Sequence, residues 1–373
     1  MPLGNEVLIA AAGSGKTHRL IEAALADRNA RVLITTYTRE NRAEIEARVW
    51  KAAAGQPHHV SVVSWYEFLL REGVKPYQSY KTDILSVRSI NFVTDPSATK
   101  YFKKSNFSQY YLDNSSNVYS DVVSDLVCAL DAASGGRVVR RISSLYDVIL
   151  IDEMQDLAGW DLELAELLMK AGGQVLMVGD PRQAVYSTNR SNKNSQFRGA
   201  KITDWISNRV TAGDCTTATL SVSHRCNQPI CDFADNLYPS LPRTTSSNST
   251  TVEAMGVHLV HVDDLDAYKS RYNPQALRWS KTNKQAGPQA LNLGEVKGRE
   301  FDRVLIFPTP KITAYIENGT ALSDGIISKF YVGVTRAKHS VGIVTKGRTT
   351  NSSLTLWSPD FPTSSPHSGS PLS

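Results

Sequence analysis

The stretch Ala10-Ala11-Ala12-Gly13-Ser14-Gly15-Lys16-Thr17 decides the fold of this 373-residue chain. It follows the apolar run Val7-Leu8-Ile9 and precedes a helical pattern over residues 18–27. This order of strand, glycine-containing loop and helix is typical of a phosphate-binding loop. Glycine has no Cβ, so the backbone N–H groups can turn inward around phosphate oxygens, and the positive end of the helix dipole points at the same place. The stretch therefore predicts an α/β domain that binds a nucleotide.

The side chains of this loop have separate predicted tasks. Lys16 can reach the β- and γ-phosphates, and the Thr17 hydroxyl is placed to hold Mg²⁺. The usual first glycine of the pattern is replaced by Ala10. We expect ATP and Mg²⁺ as cofactors, and a cradle made of the four residues before the lysine, which are Ala12, Gly13, Ser14 and Gly15.

The amino-acid composition favours some classes of protein and argues against others. Hydrophobic residues make up 41% and charged residues 21%, as in soluble globular proteins, and the net charge of +5 is compatible with a polyanionic partner without requiring one. The four cysteines form no C-x-x-C pair, which argues against a disulfide framework or a zinc site. No apolar run approaches the roughly 18 residues of a membrane span, and no signal peptide is evident. We expect a cytoplasmic, reducing location and no membrane partner.

Short apolar runs alternate with helical patterns along most of the chain, and the runs at residues 32–36, 60–63, 148–151 and 175–178 suit buried parallel strands. Two of these runs end in polar residues with a chemical use. Asp152 can hold Mg²⁺ at the tip of the third run, and Glu153 can polarise a water for in-line attack on the γ-phosphorus. Gln183, after the fourth run, can hydrogen-bond the γ-phosphate or the attacking water.

In this order the pieces resemble superfamily 1 helicases of the UvrD/Rep group. The segments that carry the resemblance are TTYTR (35–39), VSWYEF (63–68), DEMQD (152–156), GDPRQAVY (179–186), SHR (223–225), VKGREF (296–301) and YVGVTRA (331–337). The resemblance covers the chain from the loop to about residue 346.

The resemblance implies two RecA-like domains, each a mostly parallel sheet with flanking helices. We expect the first at residues 1–214, with a short insertion at 75–144, and the second at 215–357. A Ser/Pro-rich tail at 358–373 is expected to be disordered. Only about seventy residues separate the SHR and VKGREF segments. The chain is therefore expected to be a compact form that lacks most of the large insertion of the second domain.

The resemblance also assigns residues around the nucleotide. Arg225 and Arg336 would bring positive charge to the γ-phosphate, which is worth roughly 10³–10⁵ in rate in related enzymes. Glu300 would contact the ribose, and Gly298 would let backbone approach the phosphates. His224 stands where the family has an adenine-stacking tyrosine, and the glutamine-containing segment that reads adenine is not found in residues 1–6. Use of several NTPs therefore stays open.

For the nucleic acid, the resemblance places single-stranded DNA across the top of both domains. Stacking is expected from Tyr37, Trp65 and Tyr186. Trp65 also suits a core position on an amphipathic helix, and Thr188 stands where the family has a second stacking tryptophan. Phosphate contacts are expected from three polar residues, Thr38, Arg39 and Ser64.

Together these features predict an ATP hydrolase that couples hydrolysis at an interdomain cleft to movement on single-stranded DNA, with 3′ to 5′ polarity by family analogy. We expect translocation on a single strand in preference to processive unwinding of a tailed duplex, because most of the insertion that contacts duplex in the family is missing. Two alternatives stay open. One is an RNA-directed motor, since the GDPxQ form of residues 179–183 is similar to viral superfamily 1 RNA helicases. The other is a nucleotide-switch subunit of a larger complex, whose protein partner the sequence does not name.

Overall fold

The structure is a computed structural model that describes residues 4–81, 86–92, 102–186, 188–189, 191–347 and 352–360. Its backbone contacts divide the chain into two compact units. The first consists of Met1–Ala10 and Lys16–Leu220, and the second of Ala11–Gly15 and Ser221–Ser373. The predicted disordered tail lies outside the described residues from position 361 onward.

The first unit contains a parallel sheet of six described strands. The strands of this unit are β1 (Glu6–Ala10), β2 (Val32–Thr36), β3 (Val60–Ser64), β4 (Ile90–Asn91), β5 (Val118–Tyr119), β6 (Val148–Asp152), β7 (Gln174–Gly179) and β8 (Thr216–Leu220). The sheet order is β3-β2-β6-β7-β1-β8, and β4 pairs with β5 apart from it. All five residues of β2 are buried, because a central parallel strand is covered on both faces.

Helices cover this sheet, and two of them begin at side-chain caps. The helices are α1 (Lys16–Leu25), α2 (Arg39–Ala52), α3 (Trp65–Phe68), α4 (Phe107–Tyr111), α5 (Val123–Ala133), α6 (Arg137–Leu145), α7 (Trp160–Met169) and α8 (Ile202–Thr211). The Thr38 hydroxyl accepts from the Asn41 N–H at 3.1 Å and so caps α2. The Ser64 hydroxyl accepts from the Glu67 N–H at 3.2 Å and caps α3. A π-helical turn, Leu69–Val74, continues α3.

The strand order positions the predicted chemistry. Strand β7 lies between β6 and β1, and Val178 is in register with both Asp152 and Leu8. The carboxyl ends of these three parallel strands therefore lie side by side, at Ala10, Asp152 and Gly179. Open α/β sheets bind their ligands at such strand ends.

The second unit has its own parallel sheet. Its strands are β9 (Val222–Ser223), β10 (Thr245–Ser246), β11 (Gly256–His261), β12 (Gln275–Arg278), β13 (Leu291–Asn292), β14 (Phe301–Phe307) and β15 (Ala337–Thr345), and its helices are α9 (Gln228–Asn236), α10 (Leu265–Tyr272), α11 (Pro310–Asn318) and α12 (Asp324–Val334). Five strands form the order β11-β15-β14-β12-β13, and β9 pairs with β10. Trp357 is buried against this sheet and donates to the Tyr272 hydroxyl at 3.3 Å.

The predicted fold class, α/β with parallel sheets and flanking helices, is confirmed. Strand β8, which the predicted boundary at 214/215 gives to the second domain, pairs with β1 in the sheet of the first unit. Residues 11–15 group with the second unit. All four cysteines are buried and free. Within the described part of the chain, no helix is long and apolar enough to cross a membrane.

Candidate nucleotide and nucleic-acid sites

The predicted phosphate loop has the backbone that a phosphate cradle needs. Gly13 and Gly15 adopt φ values of +75° and +79°, in the left-handed region that favours glycine. The Ser14 N–H donates to the Ala11 carbonyl at 3.2 Å and closes the turn. The Ser14 hydroxyl is buried and has no hydrogen-bond partner among the residues described. A phosphate oxygen would satisfy it, so the loop fits the ligand predicted for it.

Lys16 and Glu153 form an ion pair in the first unit. Lys16 begins α1, Glu153 follows β6, and the Lys16 Nζ lies 2.8 Å from the Glu153 Oε1. The two side chains are 17% and 9% exposed. Glu153 also accepts from the Gln155 side-chain amide. The pair thus brings the predicted phosphate-binding lysine and the predicted general base to one point.

Glu153 has strained backbone. Its φ of +55° is in the left-handed region, which costs a residue with a Cβ about 1–2 kcal/mol. Gln155 helps to hold this turn, because its side-chain Oε1 also accepts from the Asp180 N–H at 3.0 Å, at the end of β7. Strain of this kind clusters at functional sites, where the surrounding structure maintains it.

The two predicted metal ligands are a carboxylate and a hydroxyl. Asp152 is buried at the end of β6, and Thr17 is half-buried in the first turn of α1. The described residues contain no group of three or more His, Cys, Asp and Glu side chains arranged to hold a metal. One carboxylate and one hydroxyl fit Mg²⁺, which usually keeps several waters and completes its shell with substrate phosphates.

Gln183 lies in a short 3-10 turn, Pro181–Gln183, directly after β7. Its side chain is 3% exposed and donates to Asp180 Oδ2 at 2.8 Å. Asp180 also accepts from Arg182, through the backbone N–H at 3.2 Å and the guanidinium at 3.3 Å. Asp180 therefore orients the predicted phosphate-sensing amide.

In the second unit, Arg225 contacts both the loop and an acidic residue. A Cβ added to Gly13 would lie 2.6 Å from the Arg225 Cβ, so the two chain segments touch. The Arg225 Nε lies 2.8 Å from the Glu300 Oε1, and its Nη1 donates to the Thr335 carbonyl at 3.3 Å. Burial alone would raise the pKa of Glu300, but the charge and hydrogen bonds of Arg225 hold it below its usual value. Glu300, predicted to contact ribose, is here the partner of Arg225.

Arg336 is held by backbone. Its side chain is 2% exposed, its Nε donates to the Val332 carbonyl at 3.1 Å, and its Nη1 donates to the Arg299 carbonyl at 3.4 Å. Gly298 has a φ of +86° and open space where a Cβ would stand. These contacts fix the guanidinium beside the loop of residues 298–300.

His224 lies beside a polar segment whose use was not predicted. Its backbone N–H donates to the Gly13 carbonyl at 2.9 Å, and its Nδ1 lies 2.7 Å from the Ser247 hydroxyl. The sequence indicates only a polar interruption at residues 241–251. In the structure β10, within this segment, pairs with β9, and the Asn248 side chain donates to the Arg225 carbonyl at 2.7 Å. The segment supports both predicted nucleotide residues, His224 and Arg225.

Three of the predicted nucleic-acid residues line one surface groove of the first unit, with a volume of about 830 Å³. They are Tyr37, Arg39 and Ser64. Thr38, which caps α2, is half-buried. Tyr186 is 40% exposed, and its ring centroid lies 6.2 Å from that of Tyr37. Sequence reasoning missed two aromatic groove residues, Tyr66 and Phe92.

Comparison with known proteins agrees with the resemblance. The UvrD/REP helicase N-terminal domain family matches residues 74–205. The RecBCD enzyme subunit RecB of Borreliella burgdorferi is 28% identical over 109 residues, which is 27% of this chain and 8% of that protein. RecB of Mycolicibacterium smegmatis is 26% identical over 114 residues, 31% of this chain and 9% of that protein.

The resemblance to UvrD-like helicases of superfamily 1 is thus confirmed over part of the chain. Among solved structures, the arterivirus nonstructural protein 10 helicase matches with a TM-score of 0.46 and 16% identity over 92% of this chain and 60% of that one. The PRRSV helicase matches with a TM-score of 0.46 and 15% identity, over 96% and 55%. The chain thus aligns with less than a tenth of the RecB proteins and little more than half of these two structures.

One predicted nucleic-acid residue, Trp65, lies in the core of the first unit. Trp65 is 2% exposed and packs in the main hydrophobic cluster of the first unit. Its indole N–H donates to Asp161 Oδ1 at 2.8 Å. A ring enclosed in this way has no free face for a base, so the alternative core interpretation is correct and Trp65 is removed from the proposed strand contacts.

The partner of Trp65, Asp161, is a buried carboxylate that sequence reasoning missed. It is 1% exposed and accepts from five neutral donors, which are the Trp65 indole, the Ser124 and Thr188 hydroxyls, the Asn189 amide and the Ala158 N–H. Burial raises its pKa, against the effect of these hydrogen bonds. Thr188, which replaces the stacking tryptophan of the family, therefore serves the core. No spacing rule marks Asp161, because its donors come from distant parts of the chain.

Proposed function

We propose that this chain is an ATP-hydrolysing motor that moves along single-stranded DNA, with 3′ to 5′ polarity by analogy with its family. The observation that carries the proposal is the Lys16–Glu153 pair at 2.8 Å, next to the buried Asp152 and the glycine loop. A cation for the phosphates, a carboxylate for the metal and a carboxylate for the attacking water are the parts that phosphoryl transfer requires.

In this proposal the ion pair is a resting arrangement of two catalytic groups. Lys16 exchanges the Glu153 carboxylate for phosphate oxygens when the nucleotide binds. Glu153, released from Lys16 and still bonded to Gln155, accepts a proton from the attacking water. Asp152 and Thr17 would hold Mg²⁺, which would neutralise charge on the phosphates.

The remaining polar groups stabilise the charge that develops on the γ-phosphate. Gln183 is oriented by Asp180 toward that task. Arg225, which touches Gly13 of the loop, and Arg336 supply the guanidinium groups. His224 offers its ring to the base, and the Ser247 hydroxyl at 2.7 Å from its Nδ1 holds that ring in place.

For the nucleic acid, Tyr37 and Tyr186 provide the exposed aromatic surface and Arg39 the positive charge. Thr38 and Ser64 lie at helix starts, where hydroxyl and backbone N–H groups can contact phosphate. Their position on one face of the first unit supports a strand track there. Stacking on such rings tolerates any base sequence, which suits a motor.

The test measures ATP hydrolysis with and without single-stranded DNA, and with a matched RNA. We expect DNA to stimulate hydrolysis, and Lys16→Ala to abolish it. Arg336→Ala should retain nucleotide binding while hydrolysis falls by about 10³-fold or more. Arg271→Ala, an exposed arginine of α10, is the matched control and should hydrolyse normally.

Because Arg336 is buried, each variant is first checked for a normal thermal transition, and Arg336→Lys serves as a second variant that keeps the charge. Hydrolysis by Arg336→Ala at the wild-type rate contradicts the role of Arg336. Stimulation by RNA rather than DNA favours the RNA-directed alternative, and nucleotide binding without any hydrolysis favours a switch subunit.

A further inference from the structure

Residues of the predicted insertion form one wall of the groove that contains Tyr37, Arg39 and Ser64. Ser89, Ile90 and Phe92 lie on this wall, around the short strand β4. The groove, about 830 Å³, falls within the roughly 300–1,000 Å³ range of ligand pockets. The insertion therefore contributes surface to a site whose other wall carries predicted strand contacts.

Four aromatic rings follow one another along this side of the unit. The centroid of Phe92 lies 5.1 Å from that of Tyr66, Tyr66 lies 5.7 Å from Tyr37, and Tyr37 lies 6.2 Å from Tyr186. We call these rings the aromatic row. Tyr66 anchors it, because its hydroxyl donates to the Thr188 carbonyl at 2.6 Å and its ring is 7% exposed.

The two ends of the aromatic row face solvent. Phe92 is 55% exposed, the largest value among the exposed large hydrophobic residues described, and Tyr186 is 40% exposed. The Phe92 ring meets Tyr66 edge to face at 86°, so Tyr66 holds Phe92 without covering it on both sides. Phe92 therefore offers an exposed ring on the wall of the groove, continuous with the other rings of the aromatic row.

The charges of the groove favour a base over a phosphate inside it. Arg42 is neutralised by Glu67 at 2.6 Å, and Glu46 adds a carboxylate that forms no ion pair with the described residues. A carboxylate repels phosphate and can accept from the exocyclic amino group of a base. Arg39 is exposed at the start of α2, where it can meet the backbone of a strand whose bases enter the groove.

We propose that this groove binds unstacked bases of single-stranded nucleic acid, with Phe92 of the insertion as a stacking platform. The inference rests on the proposed function, since it names a further contact for the same strand. The short insertion at residues 75–144 would then help to bind the strand. Stacking on one aromatic ring contributes about 1–3 kcal/mol per base, or roughly 5- to 150-fold in affinity.

The test measures the dissociation constant of a fluorescein-labelled oligo(dC) strand, whose bases carry an exocyclic amino group, by fluorescence anisotropy. Phe92→Ala should bind about 5-fold or more weakly, and Phe92→Trp should stay within about threefold of wild type. Phe102→Ala, which removes another exposed phenylalanine of the insertion, is the matched control and should bind normally. On the same strand with abasic sites, wild type and Phe92→Ala should bind equally.

The outcomes separate this inference from the proposed function. Unchanged binding by Phe92→Ala, while DNA still stimulates wild-type hydrolysis, overturns the inference alone. An equal loss on the abasic strand also overturns it, because it shows that Phe92 supports the fold and not a base. A wild-type chain that binds no strand and shows no stimulated hydrolysis overturns both.

Discussion

The two units neutralise their candidate catalytic cations in different ways. In the first unit, Lys16 pairs with Glu153 in an enclosed site where the carboxylate is 9% exposed. In the second, Arg225 pairs with Glu300, whose side chain is 46% exposed. A charge pair shielded from water interacts more strongly than one in contact with it. The Lys16–Glu153 pair should therefore separate only when an anionic ligand replaces the carboxylate. In the Arg225–Glu300 pair, water can replace the carboxylate beside the arginine.

Variants of Arg225 and of its partner Glu300 should show the largest effect of this difference between the two ion pairs. Arg225→Ala should lower the rate of ATP hydrolysis by about 10³-fold, because it removes positive charge from the γ-phosphate. Glu300→Gln should stay within about tenfold, since a half-exposed carboxylate mainly orients the arginine. The turnover number at saturating ATP measures both. If Glu300→Gln is as damaging as Arg225→Ala, Glu300 acts directly, as in the predicted ribose contact.

A second difference concerns the buried polar groups that support each unit. In the first unit, Asp161→Asn replaces one acceptor oxygen with an N–H₂ group that faces two or three of the five donors. We expect the free energy of unfolding to fall by about 3 kcal/mol. Glu163→Gln, on the same helix but in an exposed pair with Lys193, should change it by less than about 0.5 kcal/mol. Urea denaturation measures the free energy of unfolding of both variants. If the two substitutions lower it equally, the hydrogen bonds of Asp161 do not stabilise the first unit.

In the second unit the corresponding group is His258, on β11. Burial first, and the charge of Arg303 second, lower its pKa to about 4, and its Nε2 lies 3.1 Å from the Tyr268 hydroxyl. Because the unfolded chain binds a proton more readily, stability should be lost as the pH falls from about 6.5 toward 4.

We expect protonation of His258 to lower the free energy of unfolding of the wild type by about 2 kcal/mol between pH 7 and pH 4.5. His258→Gln should not show this contribution. Other groups titrate in this range, so the measured quantity is the difference in unfolding free energy between wild type and variant at each pH. A constant difference across the range would show that His258 carries no such linkage.

Much of the fold was predictable because its signals are local. The apolar runs at residues 32–36 and 148–151 lie in strands β2 and β6, and the helical pattern over residues 18–27 overlaps α1. Strand β12, Gln275–Arg278, was missed, because it is short and half polar and has no apolar run of its own. Its place in the sheet comes from its neighbours β14 and β13.

The sequence predicted those parts of the candidate site where a motif specifies the backbone conformation. It did not predict contacts between residues that are distant in sequence. The positive φ values of Gly13 and Gly15 follow from the need of the loop for residues without a Cβ. Whether Trp65 faces a base or the core depended on Asp161, nearly a hundred residues away. The polar segment around Ser247 shows no periodicity, yet it lies against His224.

The sequence by itself determined two parallel α/β sheets, a glycine-containing loop with positive φ values and the identity of the polar residues at the strand ends, because hydrophobic periodicity and glycine chemistry act over a few neighbouring residues. Only the tertiary structure decided which carboxylate neutralises which cation, that Trp65 belongs to the core, and that Phe92 completes a groove. Those outcomes depend on burial and on partners distant in sequence, and their energies exist only once the chain has folded.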